Sequence, residues 1–135
     1  MAAALTGLVF IGGLLHFTMR AVSRTPDSTG RTKAEMSHLS IGLQLYRQEF
    51  GSFPEATGNA ELIQALTRNN PRKLSFYSLS PGRYPDGVLL DGWERPFVFE
   101  KTETGFLIRS AGKDGVLDTK DDLETTVPPP PPAPR

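Results

Sequence analysis

The 135-residue sequence contains no cysteine, so no disulfide can stabilise its fold. It also lacks an excess of either charge, because fifteen Lys and Arg residues balance fifteen Asp and Glu residues. A chain without a basic surplus has no global field that attracts nucleic acid, and we predict no nucleic-acid partner. This length has room for one small domain with appendages.

Signatures of catalysis are also scarce. The chain has two histidines, His16 in an apolar segment and His38 farther on, and no serine lies in a nucleophile-elbow pattern. Without histidine ligands, an acidic loop is a poor candidate for metal-assisted hydrolysis. We therefore predict that the protein is not an enzyme.

The most informative stretch runs from Ser110 to Leu123, where four aspartates fall within nine residues. They are Asp114, Asp118, Asp121 and Asp122. Gly112 and Gly115 let the backbone turn tightly between them, and carboxylates this close repel unless a cation or water separates them. The stretch lacks the spacing of an EF-hand, so its residues alone indicate either a Ca²⁺ site or a hydrated acidic turn.

An uncharged apolar stretch of 18 residues occupies Ala2 to Met19. As a helix it is about 27 Å long, which is enough to cross a hydrocarbon core. No Lys or Arg precedes it and no clear A-x-A site follows, so we predict a retained transmembrane or filament-core helix over residues 1–22 rather than a cleaved signal. Four basic residues after the span favour a cytoplasmic location for the rest of the chain by the positive-inside rule. They are Arg20, Arg24, Arg31 and Lys33.

Residues 23–32 contain Pro26 and Gly30 and predict an irregular neck. From Lys33 to Phe50, apolar residues recur at spacings of three and four, which predicts an amphipathic helix ended by Gly51. Its apolar stripe comprises Met36, Leu39, Leu43, Tyr46 and Phe50. Ile41 and Leu45 lie about 180° around the same helix, so they are either isolated exposed residues or a contact for a neighbouring subunit.

The rest of the globular part, residues 33–124, predicts an α+β fold with the helix packed on a three- to four-stranded antiparallel sheet. A second helix is predicted over Asn59 to Asn69, capped by Asn59, with Leu62, Ile63 and Leu66 buried. The predicted strands are Leu74 to Leu79, Pro96 to Lys101 and Gly105 to Ser110, with Leu89 and Leu90 as a candidate edge. The last two strands should pair through a short turn.

Two further segments have simpler predictions. Trp93, in the segment Asp91 to Pro96, is expected to anchor the core or to cover the sheet. Residues 125–135 form a proline-rich tail, since six of the last eight residues are proline. Its last nine residues read as a polyproline II arm about 28 Å long, either solvated or a ligand for an aromatic groove.

Five segments in order resemble the type II secretion system protein G family, the major pseudopilins, which are related to type IV pilins. They are the apolar N-terminal helix, LQLYRQEFGSFP (Leu43 to Pro54), AELIQALTRNNPRK (Ala60 to Lys73), DGWERPF (Asp91 to Phe97) and FLIRSAGKDGVLDTKDD (Phe106 to Asp122). The resemblance implies a pilin-like lollipop, a long apolar helix that carries a small head. It also implies a structural subunit that assembles with itself, with other pseudopilins and with secretion or pilus machinery.

The same resemblance implies a single-pass protein of the bacterial inner membrane, with its head in the periplasm or on an extracellular filament. That location conflicts with the basic residues after the span. The alternative is a membrane-tethered, calcium-stabilised binding module within a larger envelope complex.

In that family the acidic loop binds Ca²⁺ and holds the head in its working shape. By resemblance, Asp114 matches the first loop aspartate, and Asp121 with Asp122 match the pair that closes the loop. Asp118 has no secure counterpart. Backbone carbonyls near Leu107 and Ser110 are expected to complete the coordination.

The candidate assembly residues are Leu5, placed by the resemblance, and Ile41 and Leu45, placed by their position on the second face of the helix. Leu5 stands where a mature chain starting at Met1 would carry the family's early glutamate, and no basic leader is visible. A neutral residue there makes no salt bridge to a neighbour's N-terminal amine, which indicates a divergent or minor subunit or a reused fold. Glu94 replaces the glycine usual after the tryptophan.

Overall fold

The computed structural model describes residues 27–79, 82, 84–103 and 105–128. Its elements in chain order are α1 (Ser28–Phe50), α2 (Asn59–Thr67), a 3₁₀ turn (Pro85–Gly87), β1 (Val98–Thr102), β2 (Gly105–Ser110) and β3 (Leu123–Val127). The predicted helix over residues 1–22, with Leu5 and His16, lies outside the described residues, as does most of the tail. Within the described part, none of the helices combines the length and apolar character needed to cross a bilayer.

Helix α1 begins earlier than the sequence predicts. We expected a neck up to residue 32, whereas the helix starts at Ser28, so residues 28–32 form its first turns. The reason is local, because the Asp27 carboxylate accepts the Gly30 N–H at 3.0 Å and the Thr32 hydroxyl donates to the Ser28 carbonyl at 2.7 Å. Gly51 ends the helix in the left-handed conformation, as predicted, with φ of 80°.

The two faces of α1 differ as its spacing predicts. Met36, Leu39 and Leu43 are buried, and Tyr46 and Phe50 pack at the edge of the same stripe. On the other face, Ile41 is 54% exposed and Leu45 is 45% exposed. The helix therefore covers the core with one side and presents apolar surface with the other.

Helix α2 buries Leu62, Ile63 and Leu66 completely, as predicted. Its N-cap is Gly58 rather than Asn59, so the predicted cap is wrong. The Asn59 side chain is engaged elsewhere: it donates to the carbonyls of Leu89 (2.9 Å) and Phe97 (3.0 Å) and accepts the Leu89 N–H (2.7 Å). Asn59 thus joins α2 to the start of the sheet instead of closing its own helix.

The sheet is antiparallel with strand order β1-β2-β3. The predicted hairpin between β1 and β2 is confirmed, with Thr102 opposite Gly105 across the turn. Strand β3 was not predicted, because its sequence LETTV is mostly polar and reads as loop. It pairs along all of β2, from Phe106 opposite Val127 to Ser110 opposite Leu123.

Residues 74–79 form no strand, contrary to the prediction. Their backbone is bound to α2 and the residues after it instead. The Phe76 N–H donates to the Leu66 carbonyl at 2.7 Å, and the Asn70 side chain accepts the Leu74 N–H at 3.0 Å and donates to the Leu74 carbonyl at 2.7 Å. The candidate edge at Leu90 is reduced to one isolated bridge with Pro96.

The core lies between α1, α2 and the sheet. Its fully buried side chains include Leu39, Leu43, Leu62, Ile63, Leu66, Leu89, Phe97, Ile108 and Val127. Phe53 extends it beyond the end of α1, with its ring centroid 5.7 Å from that of Phe106. Trp93, expected as an anchor, is half-buried outside this cluster, because its turn buries Asp91 instead. The predicted α+β class, a helix on a three-stranded antiparallel sheet, is confirmed.

Candidate functional site: the acidic loop

The acidic loop, residues 111–122, connects β2 to β3. Ser110 and Leu123 face each other as the last pair of the ladder, so the strands bring the two ends of the loop together. Gly112 has φ of 62°, and a Cβ there would lie 2.2 Å from the Asp121 carbonyl oxygen. A glycine is therefore required at this position so that the closing half of the loop can fold back on the first half.

Asp114 and Asp121 meet across the loop. The Asp114 N–H donates to Asp121 Oδ2 at 2.8 Å, and the Val116 N–H donates to Asp114 Oδ1 at 2.8 Å. The Thr119 hydroxyl donates to Asp121 Oδ1 at 2.6 Å. Donation by Thr119, followed by the Asp114 N–H, lowers the pKa of Asp121 to about 2. Asp121 therefore carries its charge throughout the neutral pH range.

A cation of the chain itself closes the other side of the loop. Arg109 Nη2 donates to Asp118 Oδ1 at 2.6 Å and to Asp122 Oδ2 at 3.2 Å. Its Nε lies 2.7 Å from Glu124 Oε1, and only 17% of its side chain is exposed. The hydrogen bond that Arg109 donates to Asp118 is the main cause that raises the pKa of Arg109. This guanidinium neutralises much of the charge on its side of the loop.

A second arginine anchors the backbone of the loop. Arg95 Nη1 donates to the carbonyls of Gly112 (2.6 Å) and Lys113 (3.0 Å). A Cβ at Gly115 would lie 2.5 Å from Arg95 Cζ, so this arginine passes directly beside the turn. The loop is thus attached to the segment 91–95 as well as to the sheet.

That segment is organised by Asp91, which is fully buried. Asp91 Oδ1 accepts the N–H groups of Trp93 (2.9 Å) and Arg95 (3.0 Å), and its Oδ2 accepts the Ser110 hydroxyl. The Ser110 hydroxyl oxygen in turn accepts the Gly112 N–H at 3.2 Å. Ser110, predicted as a carbonyl ligand, is therefore also the link between the buried turn and the acidic loop.

The predicted Ca²⁺ ligands are only partly brought together. Within the described ranges, no group of three or more Asp, Glu, His or Cys side chains is arranged to hold a metal ion. Asp114 and Asp121 are adjacent, and Asp122 shares the Thr119 hydroxyl with Asp121. Asp118 turns instead to Arg109. Leu107 lies inside β2, between Glu100 and Thr126 of its neighbours.

The donor chemistry of Asp114, Asp121 and Asp122 nevertheless fits Ca²⁺, which prefers carboxylate, carbonyl and water oxygens. Asp121 is ionised at neutral pH, and the fold of the loop over Gly112 brings it to Asp114. These aspartates, with backbone carbonyls, are the residues that would hold the ion. A bound ion would supply positive charge between carboxylates that otherwise repel one another.

Sequence reasoning missed Arg109, Arg95 and Asp91. The signal for Arg109 was its place opposite Glu124 in the β2–β3 ladder, which was hidden because β3 was not recognised. Asp91 and Ser110 are 19 residues apart, and no spacing rule links them.

The described part of the chain has a helix packed on a three-stranded antiparallel sheet, with an acidic loop between the last two strands, which is the kind of head that the sequence resemblance implies. The model of the family "Type II secretion system (T2SS), protein G" matches residues 21–126. The chain therefore belongs to this family of pseudopilins, as its sequence resemblance predicted.

One solved structure is similar, the crystal structure of the major pseudopilin from the type 2 secretion system of enterohaemorrhagic Escherichia coli. It has 19% sequence identity and a TM-score of 0.47, and the match covers 72% of this chain and 84% of that chain. A search of curated proteins finds no significant match. Family membership associates the chain with protein secretion and the cell envelope, and with a structural family rather than an enzyme family.

Proposed function

We propose that the protein is a structural subunit of a type II secretion or type IV pilus-like filament. Its N-terminal segment, predicted as a helix over residues 1–22, supplies the filament core, and the exposed face of α1 contacts a neighbouring subunit. The observation that supports this function most directly is the exposed pair Ile41 and Leu45 on a helix whose opposite face packs on the core.

Ile41 and Leu45 are separated by one helical turn, so their side chains lie next to each other. Ala34 and Ser37, which precede them on the same side, are small and exposed, so they leave room for close approach. Burying the exposed halves of the two apolar side chains in an interface is worth about 1 kcal/mol each. This free energy is too small to hold two subunits together by itself, so the exposed face of α1 is proposed to act together with the N-terminal helix.

We also propose that Ca²⁺ binds the acidic loop through Asp114, Asp121 and Asp122 and stabilises the head for assembly. The oxygen-only donor set and the depressed pKa of Asp121 support this role. Asp118 contributes to the same loop by pairing with Arg109 rather than as a necessary ligand.

We place the protein in the bacterial inner membrane as a single-pass protein, with its head on the periplasmic side. The family supports this orientation, while the basic residues after the predicted span oppose it. Protease added to spheroplasts should degrade the head. A head that is degraded only after the membrane is permeabilised would reverse the orientation.

The assembly function is tested by photo-crosslinking in cells that express the full secretion system. A photoreactive phenylalanine analogue replaces Ile41, and the control carries it at Glu103, an exposed residue of the β1–β2 turn. We expect a ladder of homomultimers from position 41 and a much weaker one from position 103. An Ile41→Lys change should weaken homomultimer formation without lowering the melting temperature of the purified protein.

The outcomes separate the two functions. Homomultimers identify a filament subunit, with additional bands for other pseudopilins. Adducts only to different envelope proteins, with no self-contacts, would favour the alternative of a tethered binding module. The absence of any adduct at position 41 would contradict a role for this face.

A further inference from the structure

A groove of about 470 Å³ is lined by residues that belong neither to the exposed pair Ile41 and Leu45 nor to the acidic loop. We call it the α1–α2 groove. It is lined by residues of the end of α1, of the following loop and of α2, among them Tyr46, Phe53, Glu55, Glu61, Gln64 and Asn69. It combines the half-buried ring of Tyr46 and the almost fully buried ring of Phe53 with two carboxylates, of which Glu55 also pairs with Lys101. The functions proposed above do not use it.

The proline-rich tail starts beside this groove. Strand β3 ends at Val127, which is buried and pairs with Phe106. The carbonyl of the next residue, Pro128, accepts a hydrogen bond from Arg47 Nη1 at 3.3 Å. The same guanidinium lies 4.8 Å from the centre of the Phe53 ring, and Phe53 is one wall of the groove. One arginine thus connects the root of the tail to the groove.

The tail has the chemistry to occupy the groove. Residues 129–135 read PPPPAPR, and seven residues of polyproline II extend about 22 Å. Polyproline segments bind grooves lined by aromatic side chains, and they lose little conformational entropy when they do so. Arg135 adds a cation, which complements Glu61, a carboxylate that accepts hydrogen bonds from Thr57, and Glu55, which Lys101 also contacts.

We propose that residues 129–135 of the chain dock in its own α1–α2 groove. The prolines pack against Tyr46, the half-buried ring of the groove, and Arg135 faces Glu61 and Glu55. Attachment at Pro128 gives the tail a high effective concentration at the groove, so even weak contacts hold it there. This docking does not depend on filament assembly, because it involves only residues of one head.

The absence of cysteine allows a clean test with the full-length chain in detergent micelles. A nitroxide attached to Ala133→Cys should broaden nearby amide signals in the ¹⁵N spectrum, with the reduced label as the reference. We expect the amides of Ser52, Gln64 and Asn69 to lose most of their intensity, and those of the acidic loop to keep theirs.

The matched variants are Gln64→Arg, which adds a positive charge in the groove, and Gln44→Arg, which adds one on an exposed site of α1. Only Gln64→Arg should restore the signals.

A second sample decides which molecule supplies the tail. It mixes a ¹⁵N chain without nitroxide with an unlabelled chain that carries nitroxide, and we expect no loss of signal there. Losses in this mixture would show that a neighbouring copy's tail occupies the groove, which overturns docking in the same chain. Uniformly sharp groove signals in the singly labelled chain would mean a free tail, or one reserved for a different partner, and would also overturn the proposal.

Discussion

The head contains two turns with aspartates, the segment 91–95 and the acidic loop, and Ser110 links them by hydrogen bonds. Their carboxylates differ in burial and in hydrogen-bond partners. Asp91 is fully buried, and donors from its own turn and from Ser110 occupy both of its oxygens. In the acidic loop, Asp114 and Asp118 are exposed. The Thr119 hydroxyl donates to Asp121 on one side of the loop, and Arg109 donates to Asp118 on the other. Burial commits a carboxylate to structure, whereas an exposed loop leaves oxygens available to an ion.

The largest loss of stability is expected on substitution of Asp91. Asp91→Ala leaves two backbone N–H groups and the Ser110 hydroxyl without this buried acceptor, and we expect the free energy of unfolding to fall by about 3 kcal/mol or more. The matched change Asp118→Ala removes an acceptor whose side chain is exposed, and it should cost less than about 1 kcal/mol. Urea denaturation of both variants measures the difference.

An Asp91→Asn variant refines this test. Its amide oxygen can still accept the Trp93 and Arg95 N–H groups, so it should be more stable than Asp91→Ala. Equal losses for Asp91→Ala and Asp118→Ala would mean that the two turns do not differ in the way that we describe.

The next effect is expected at Arg109. Arg109→Gln removes the cation that contacts Asp118, Asp122 and Glu124, so these carboxylates repel one another. We expect the free energy of unfolding to fall by less than in Asp91→Ala but by clearly more than in the control below. Hydrogen exchange at the Asp118 amide should also become faster, because that amide donates to Asp122. The control Arg72→Gln removes an exposed pair with Glu49 and should cost about 0.5 kcal/mol or less. Equal losses of stability in Arg109→Gln and Arg72→Gln would mean that the ion pairs of Arg109 contribute no more than an ordinary surface ion pair.

The smallest effect is a dependence on acid pH. The pKa of Asp121 is about 2 in the folded chain and 3.8 in the reference state. The charged carboxylate therefore stabilises the fold above the upper value, and this contribution is lost as the pH falls toward the lower one. Thr119→Val removes the main cause of the shift, so its stability should fall less between these pH values than that of the wild type in calcium-depleted buffer. Parallel curves for the two proteins would contradict the assignment.

Much of the fold follows from local sequence patterns. The buried stripe of α1 follows from its spacing, the left-handed end at Gly51 from residue type, and the β1–β2 hairpin from alternating apolar residues around a short turn. These features depend on neighbours in sequence. Strand β3 escaped prediction because most of its side chains are polar, and its stability comes from pairing with β2 rather than from its own composition.

The candidate site was predicted in position but not in arrangement. The aspartates marked the loop, yet Arg109 and Asp91 became visible only when β2, β3 and the segment 91–95 were brought together in three dimensions. Asn59 shows the same limit, because its type indicated a helix cap whereas its tertiary contacts lie with Leu89 and Phe97. Long-range hydrogen bonds override local preferences at these positions.

The measurement that tests the central claim most directly is the melting temperature of the purified protein with Ca²⁺ and with a chelator. The account predicts that chelation lowers the melting temperature of the wild type, because an ion that binds only the folded loop stabilises it by mass action. In Asp114→Asn the melting temperature should be the same with and without Ca²⁺, whereas Asp118→Asn should keep most of the response. A wild-type melting temperature that is identical in Ca²⁺ and in chelator would contradict the calcium role of the acidic loop.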